Sequence, residues 1–207
     1  MNYTFADRAI ADMNRRNLRA FNNLKLLNFD EINLLSAVKK VYGDSIKIAK
    51  KRYLQIAYKA YIEAAELAKV SESKAEKMAD DTITEDWILD MLEDYDAVSL
   101  YQFLPEAERK QQRLVEALIA ATNKNKEIDK ALRLWTLQTS HYADKSVEDG
   151  TVQGYKDAGI KKVMWVAIDD EKTCKECADR DRNVYPIDNI PPKPHYQCRC
   201  ILLPVFT

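Results

Sequence analysis

The sequence predicts a mainly α-helical protein that ends in a small, cysteine-rich α+β domain with short strands. Residues 1–149 hold one of the four glycines, one of the six prolines and no cysteine, and the last 58 residues hold the rest. Apolar residues recur at helical spacing in the first part. Beyond Gly159 a compact apolar run rich in β-branched and aromatic residues replaces that pattern. This step in composition predicts a helical region at residues 1–126 and a C-terminal domain at 127–207.

Two helical segments are predicted before residue 71. Apolar side chains occur at every third position from Leu18 to Leu27, which indicates the buried stripe of a first helix. Asp30 is a suitable N-cap for the next helix. That helix is predicted to be long, since its apolar pattern begins at Ile32 and continues to about Val70.

Three more helices are predicted downstream. Thr84 is followed by two acidic residues, a pattern typical of an N-cap, and its short helix ends near Leu92. Pro105 fits the first turn of the next helix, where no amide donor is lost. The last helix is predicted from about Glu127 to Glu148.

Short strands are predicted beyond these helices. The run Val163–Ile168 is typical of a buried strand. Val184-Tyr185 and Ile201–Phe206 are two further candidates, and Pro204 places the last of them at a sheet edge or strand end, because proline cannot donate to a ladder.

Overall charge and hydropathy exclude several classes of protein. The chain has 32 Lys and Arg against 33 Asp and Glu, which excludes a globally basic nucleic-acid-binding protein. No apolar run reaches the roughly 18 residues that span a bilayer, so we expect no membrane partner. The first residues lack the basic and apolar regions of a secretory signal, so we expect synthesis in a cytosolic setting.

Charge is nevertheless segregated along the chain. Eight acidic residues and no cation lie between residues 80 and 96, whereas residues 39–59 carry seven cations and one acid. The simplest interpretation is a pair of solvated helix faces that partly neutralise each other. A sharper interpretation is a contact with DNA or with a protein partner. The seven cations are Lys39, Lys40, Lys47, Lys50, Lys51, Arg52 and Lys59.

The cysteines have the spacing of a structural zinc site. A C-x₂-C pair, Cys174 and Cys177, precedes by about 20 residues a second group formed by His195, Cys198 and Cys200. Five candidates compete for the four places that tetrahedral zinc offers. We favour the four cysteines, with His195 as a replacement ligand or as a support for the ligands. The alternative set has His195 in place of Cys200.

Two other states of these thiols remain open. They can form two disulfides on exposure to an oxidant, or stay reduced and simply pack in the core. A catalytic cysteine is not expected, since a thiol nucleophile needs a nearby base and the chain has only two histidines.

The cysteine-rich segment resembles a known family. The order of its residues is similar to the C-terminal signature of the Mu protein F-like minor head proteins of tailed phages, over about residues 130–205. The family usually has Asp-Gly after the C-x₂-C pair, where this chain has Asp181-Arg182-Asn183. The residues that carry the resemblance are Trp165, Asp169-Asp170, Cys174-x-x-Cys177, Asp181, Tyr185, Pro191-Pro192 and His195-x-x-Cys198-Arg199-Cys200.

The resemblance implies a non-enzymatic virion protein, present in few copies inside the head and bound at the portal vertex. It also implies a role in head assembly, DNA packaging or DNA ejection. The implied partners are the portal protein and other head proteins, with packaged DNA as a further candidate.

Two alternatives stand beside that function. The first is a zinc-supported nuclease that uses His195 with Asp169-Asp170 or with Asp179 and Asp181, although such an enzyme needs an open metal position. The second is a zinc-finger DNA-binding protein, which is disfavoured because no basic recognition helix lies beside the cysteines.

Overall fold

The computed structural model of the protein describes residues 4–29, 33–168, 170–196 and 198–206. Within these ranges the order is six helices, a strand, a short helix and two strands, which confirms the predicted fold class. The elements are α1 Thr4–Lys25, α2 Leu34–Leu67, α3 Glu72–Thr82, α4 Glu85–Glu93, α5 Phe103–Ala120, α6 Lys124–Asp157, β1 Lys162–Val166, α7 Lys175–Arg180, β2 Val184–Pro186 and β3 Ile201–Val205.

Two helices of 34 residues each, α2 and α6, form the centre of the helical part. Each begins at an asparagine: Asn33 accepts a hydrogen bond from the Ser36 amide, and Asn123 accepts one from the Lys126 amide. Such side-chain caps satisfy amides that have no partner within the helix. The predicted cap at Asp30 and the predicted start at Ile32 lie outside the described residues.

The last predicted helix is longer than the sequence indicates. It was expected to end at Glu148, but α6 continues to Asp157 through Gly150 and Gly154. A Cβ atom at Gly150 would lie 2.4 Å from the Ala57 carbonyl oxygen, and one at Gly154 would lie 2.5 Å from the Tyr61 oxygen. The two glycines therefore allow α6 to approach the backbone of α2, and they do not end the helix.

A set of aromatic rings fills the core of the helical part. Tyr42 lies 4.9 Å from Trp135 between ring centroids, and Phe103 lies 4.8 Å from Tyr142. The edge-on angles of these pairs are those that aromatic quadrupoles favour. Phe21 joins the set from α1, at 5.5 Å from Tyr42.

Three helices share a buried polar chain in this core. The Trp135 indole donates to the Ser45 hydroxyl over 2.7 Å, and Ser45 in turn donates to the Asn17 amide oxygen over 2.5 Å. Buried polar groups are costly without such partners. The chain thus fixes how α1, α2 and α6 align.

Other sequence predictions were correct in part. Thr84 caps α4 by accepting from the Trp87 amide over 3.2 Å, and Pro105 lies in the first turn of α5. The predicted apolar stripe of α1 was partly wrong, because Leu18 is 48% exposed, and Leu27, which is 40% exposed, lies beyond the end of the helix at Lys25. Helices α3 and α7 were not predicted.

The three strands form one antiparallel sheet with β1 in the centre, between β2 and β3. Pro204 lies in β3, an outer strand, as predicted. The sheet packs on the end of α6, where the Tyr155 hydroxyl donates to the Leu202 carbonyl. Tyr155 and Trp165 lie in a second, smaller core with three of the cysteines. The boundary between residues 126 and 127 stays a prediction.

Candidate metal centre

Two short segments bring the sulfur atoms together. Cys174 is the N-cap of α7, and its Sγ accepts a hydrogen bond from the Cys177 amide over 3.4 Å. His195, Cys198 and Cys200 come from the irregular segment that leads into β3. Cys177, Cys198 and Cys200 are buried, and Cys174 is partly exposed.

The ligand atoms form two groups of three that share Cys177. Cys174, Cys177 and His195 form one group, and Cys177, Cys198 and Cys200 form the other, with the ligand atoms of each within 4.8 Å of one another. Cys177 Sγ lies 3.6 Å from Cys198 Sγ and 3.7 Å from His195 Nε2. Two sulfurs at 2.3 Å from a tetrahedral ion lie about 3.8 Å apart. The cluster can therefore hold a metal ion.

The ring of His195 is oriented toward this cluster. Its Nδ1–H donates to the Tyr196 carbonyl over 2.8 Å, which raises the pKa of His195 and leaves Nε2 facing Cys177. A backbone carbonyl on the far nitrogen is the usual way in which proteins fix a metal-binding imidazole.

The thiols differ in how readily they ionise. The Cys177 amide lowers the pKa of Cys174, whereas burial raises the pKa of Cys177 and of Cys198. Because metals bind thiolates, an ion entering here would displace protons from the two buried sulfurs. All four cysteines are free thiols in the structure.

Ionic and cation–π contacts support the loops that carry the ligands. The Arg199 guanidinium binds both carboxylate oxygens of Asp170, at 2.6 and 2.7 Å. Arg180 donates to the Pro192 carbonyl over 2.6 Å and lies 5.1 Å from the centre of the Trp165 ring. These contacts fix the loops on either side of the cysteines.

Two of the carboxylates considered for a nuclease, Asp170 and Asp181, have structural partners. Asp170 is held by Arg199, and Asp181 accepts the Ala167 amide over 2.8 Å. Asp169 lies outside the described residues. In the described part of the chain, the groups able to hold a metal contain cysteine and histidine only. This arrangement does not favour metal-assisted hydrolysis.

A buried histidine–carboxylate pair that was not predicted from the sequence lies beside this centre. His141 Nε2 lies 2.6 Å from an oxygen of Asp96, and both side chains are buried. The His141 ring also lies 4.3 Å from the ring of Tyr196, the residue after His195. The pair thus joins the helical part to the ligand segment, but 45 residues separate its members and no local pattern could reveal it.

The seven cations predicted as a contact surface all lie on α2, where they divide between different sides. Lys47, Lys50 and Lys51 line a groove beside α4. Arg52 and Lys59 line a groove beside α1. Lys40 pairs with Asp44 one turn further along, at 2.8 Å, and Lys39 is exposed.

The fold and this centre define a helical protein with a C-terminal domain organised around a cysteine–histidine cluster. Residues 110–203, from α5 to β3, match the family described as Phage Mu protein F like protein. Over this region, which is less than half of the chain, the protein is similar to the Mu protein F-like family of phage head morphogenesis proteins, and the match supports the resemblance predicted from the sequence. No curated protein and no solved structure matches the chain. Among the described helices, none has the length and apolar character that crossing a membrane requires.

Proposed function

We propose that this protein is a non-enzymatic minor component of the phage head, located inside the capsid at the portal vertex. It assists head assembly, DNA packaging or DNA ejection, with the portal protein and other head proteins as partners. The observation that carries the proposal is the family match over residues 110–203, within which the cysteines and His195 form two adjoining groups that share Cys177.

The metal in this proposal is zinc. The sequence favours the four cysteines as ligands, but the geometry around Cys177 leads us to propose the alternative set, in which His195 joins Cys174, Cys177 and Cys198. The 3.6 and 3.7 Å separations around Cys177 and the Tyr196 carbonyl on the far side of the imidazole support this set. Bound zinc supplies folding energy to a segment that has few apolar residues. The set with Cys200 in place of His195 is the alternative.

Metal analysis of two single variants separates the ligand sets. We expect one zinc per wild-type chain, loss of zinc in His195→Ala, and retention in Cys200→Ser. The opposite pattern would assign the fourth place to Cys200. If protein purified under reducing conditions contained no zinc, that result would contradict a zinc centre. It would favour the alternative in which the cysteines stay reduced and pack in the core.

Association with the head is tested with procapsids. We expect the tagged full-length chain to co-sediment with procapsids that contain the portal, and to be absent from procapsids assembled without it. Equal recovery from both would contradict location at the portal vertex. No recovery from either would contradict the head function. Incubation with DNA and Mg²⁺ or Mn²⁺ should produce no cleavage, and a nuclease activity lost in His195→Ala would overturn the non-enzymatic assignment.

The contact of α2 cations with packaged DNA stays a prediction. Helices α1 and α2 together carry twelve Lys and Arg against five Asp and Glu, in a chain whose net charge is −1. When a protein binds duplex DNA through phosphates, the logarithm of the binding constant falls with the logarithm of the salt concentration, with a slope of about −0.9 per phosphate contact. Titration of duplex DNA at several salt concentrations tests it, and a slope near zero would contradict phosphate contacts.

A further inference from the structure

A groove with a volume of about 730 Å³ lies between α1 and α2. We call it the α1–α2 groove. The two helices are antiparallel here, since Asp12 on α1 pairs with Arg52 on α2, and Lys59 lies 5.8 Å from the ring of Phe5. The linker between α3 and α4 closes one side with Ile83. The groove lies on the helical part, away from the cysteine centre.

Apolar side chains line much of this groove. Phe5 and Leu54 are half-buried, and Ile56 and Ile83 are buried. A phosphodiester backbone offers no apolar face to cover such a surface. The lining therefore favours a protein segment with apolar side chains over nucleic acid.

The polar lining of the groove is cationic. Arg8, Arg15, Arg52 and Lys59 contribute four positive charges, against the single carboxylate of Asp12. Hydrogen bonds from Arg52 and Arg16 hold the pKa of Asp12 below its usual range, so this carboxylate is charged and already paired at neutral pH. The surplus of positive charge is complementary to an acidic partner.

The groove has the length of about two helical turns. Arg8 and Arg15 lie on the same helix seven residues apart, which corresponds to about 10 Å. An amphipathic helix with apolar anchors at positions i, i+4 and i+7 spans the same distance. Leu54 and Gln55 also line the neighbouring groove beside α4, where Lys47, Lys50 and Lys51 extend the positive charge.

We propose that the α1–α2 groove binds an acidic amphipathic helix of another head protein, with the apolar face of that helix on Phe5, Leu54 and Ile83 and its carboxylates on Arg8, Arg15 and Lys59. This inference rests on the proposed function for the source of the partner. It does not depend on the metal centre.

The test uses a fluorescent peptide of about 16 residues, with leucines on one helical face and glutamates beside them. A peptide of the same composition, scrambled so that the leucines share no face, measures the contribution of charge alone, and a duplex of about 20 base pairs measures nucleic-acid binding. We expect the full-length protein to bind the amphipathic peptide at least about tenfold more tightly than the scrambled one. Equal binding of the two peptides, no binding, or binding of the duplex alone would overturn the groove assignment.

Charge-reversed variants locate the site. Arg8→Glu with Lys59→Glu should weaken peptide binding at least about tenfold, since both charges line the groove. Leu54→Glu should do the same through the apolar surface. Lys74→Glu with Lys77→Glu is the matched control, because it changes the net charge equally at exposed positions of α3. Equal losses in the control and the groove variant would overturn the proposal.

Procapsid binding separates this inference from the proposed function. Wild-type recovery of the Arg8→Glu, Lys59→Glu variant with procapsids would overturn the groove as the head contact while leaving the head function intact. Failure of the wild-type chain to associate would count against the head function, and the peptide titration would still decide the groove.

Discussion

Replacing glycine by alanine should have opposite effects at two helical positions of this protein. Alanine is favoured over glycine within a helix by about 1 kcal/mol. Gly43 lies inside α2 and has no atom within 4 Å of where a Cβ would be, so Gly43→Ala should gain that amount in stability. Gly150 lies against the Ala57 backbone, where the new Cβ would be 2.4 Å from the carbonyl oxygen.

The cost at Gly150 follows from that distance. Ordinary contacts of a Cβ atom lie at 3.4–4 Å, so the backbone of α2 or α6 must move by about 1 Å. Overpacking a core costs about 1–3 kcal/mol, and the upper end applies because the obstructing atoms are backbone. After the gain in helix propensity, Gly150→Ala should lose about 2 kcal/mol of unfolding free energy.

Urea titration followed by helical circular dichroism at fixed temperature measures both changes. In thermal melts we expect the midpoint to rise by about 2–4 °C for Gly43→Ala and to fall by about 4–8 °C for Gly150→Ala. The Gly43 variant is the control for helix propensity. A Gly150→Ala protein as stable as the wild type would show that α2 and α6 do not approach as closely as the structure shows, and would refute this account of the extended α6.

Three further predictions concern the turn after α7, acid stability and metal removal. Arg182 has φ of +60° in that turn, and its side chain is 87% exposed. Because glycine adopts this backbone conformation without strain, Arg182→Gly should raise the unfolding free energy by about 0.5–1 kcal/mol, as measured by urea titration. A lower unfolding free energy would contradict backbone strain at this position. Burial opposes ionisation of Asp96, but hydrogen bonds from His141 and Ser99 outweigh it and hold the pKa of Asp96 below its usual value. The contribution of the Asp96 carboxylate to the free energy of unfolding is therefore complete above its unfolded pKa near 3.9, and it is lost as pH falls through the lower pKa of the folded state. Asp96→Asn should therefore flatten the dependence of unfolding free energy on pH below about pH 4. An unchanged slope would contradict this role. Chelation of the proposed zinc should abolish hydrogen-exchange protection in β3 while α2 stays protected, and unchanged protection in β3 would contradict a structural metal.

Local patterns were sufficient for part of the fold. Thr84 followed by acidic residues correctly predicted the start of α4, because an N-cap depends on the residues immediately beside it. The spacing of Cys174 and Cys177 correctly indicated sulfur atoms that converge with those of a later motif.

Features that depend on distant partners were not predictable in this way. From the sequence, Gly150 is expected to end a helix. Only the close approach of the Ala57 backbone in the structure explains why a glycine is needed inside α6. Helix α3 buries Ala75 and Ala79, and alanine gives little apolar periodicity in a sequence. The α1–α2 groove needs arginines from α1 next to cations from α2, and the sequence alone does not place those helices side by side.

The length of α6 has a mechanical consequence. Its 34 residues span about 50 Å without an internal proline, and it contributes to both hydrophobic cores. A force applied to the cysteine-rich end is therefore transmitted along α6, which is one continuous helix, to the helical part of the protein. We therefore expect the helical part and the sheet to move together and not to bend relative to one another along α6.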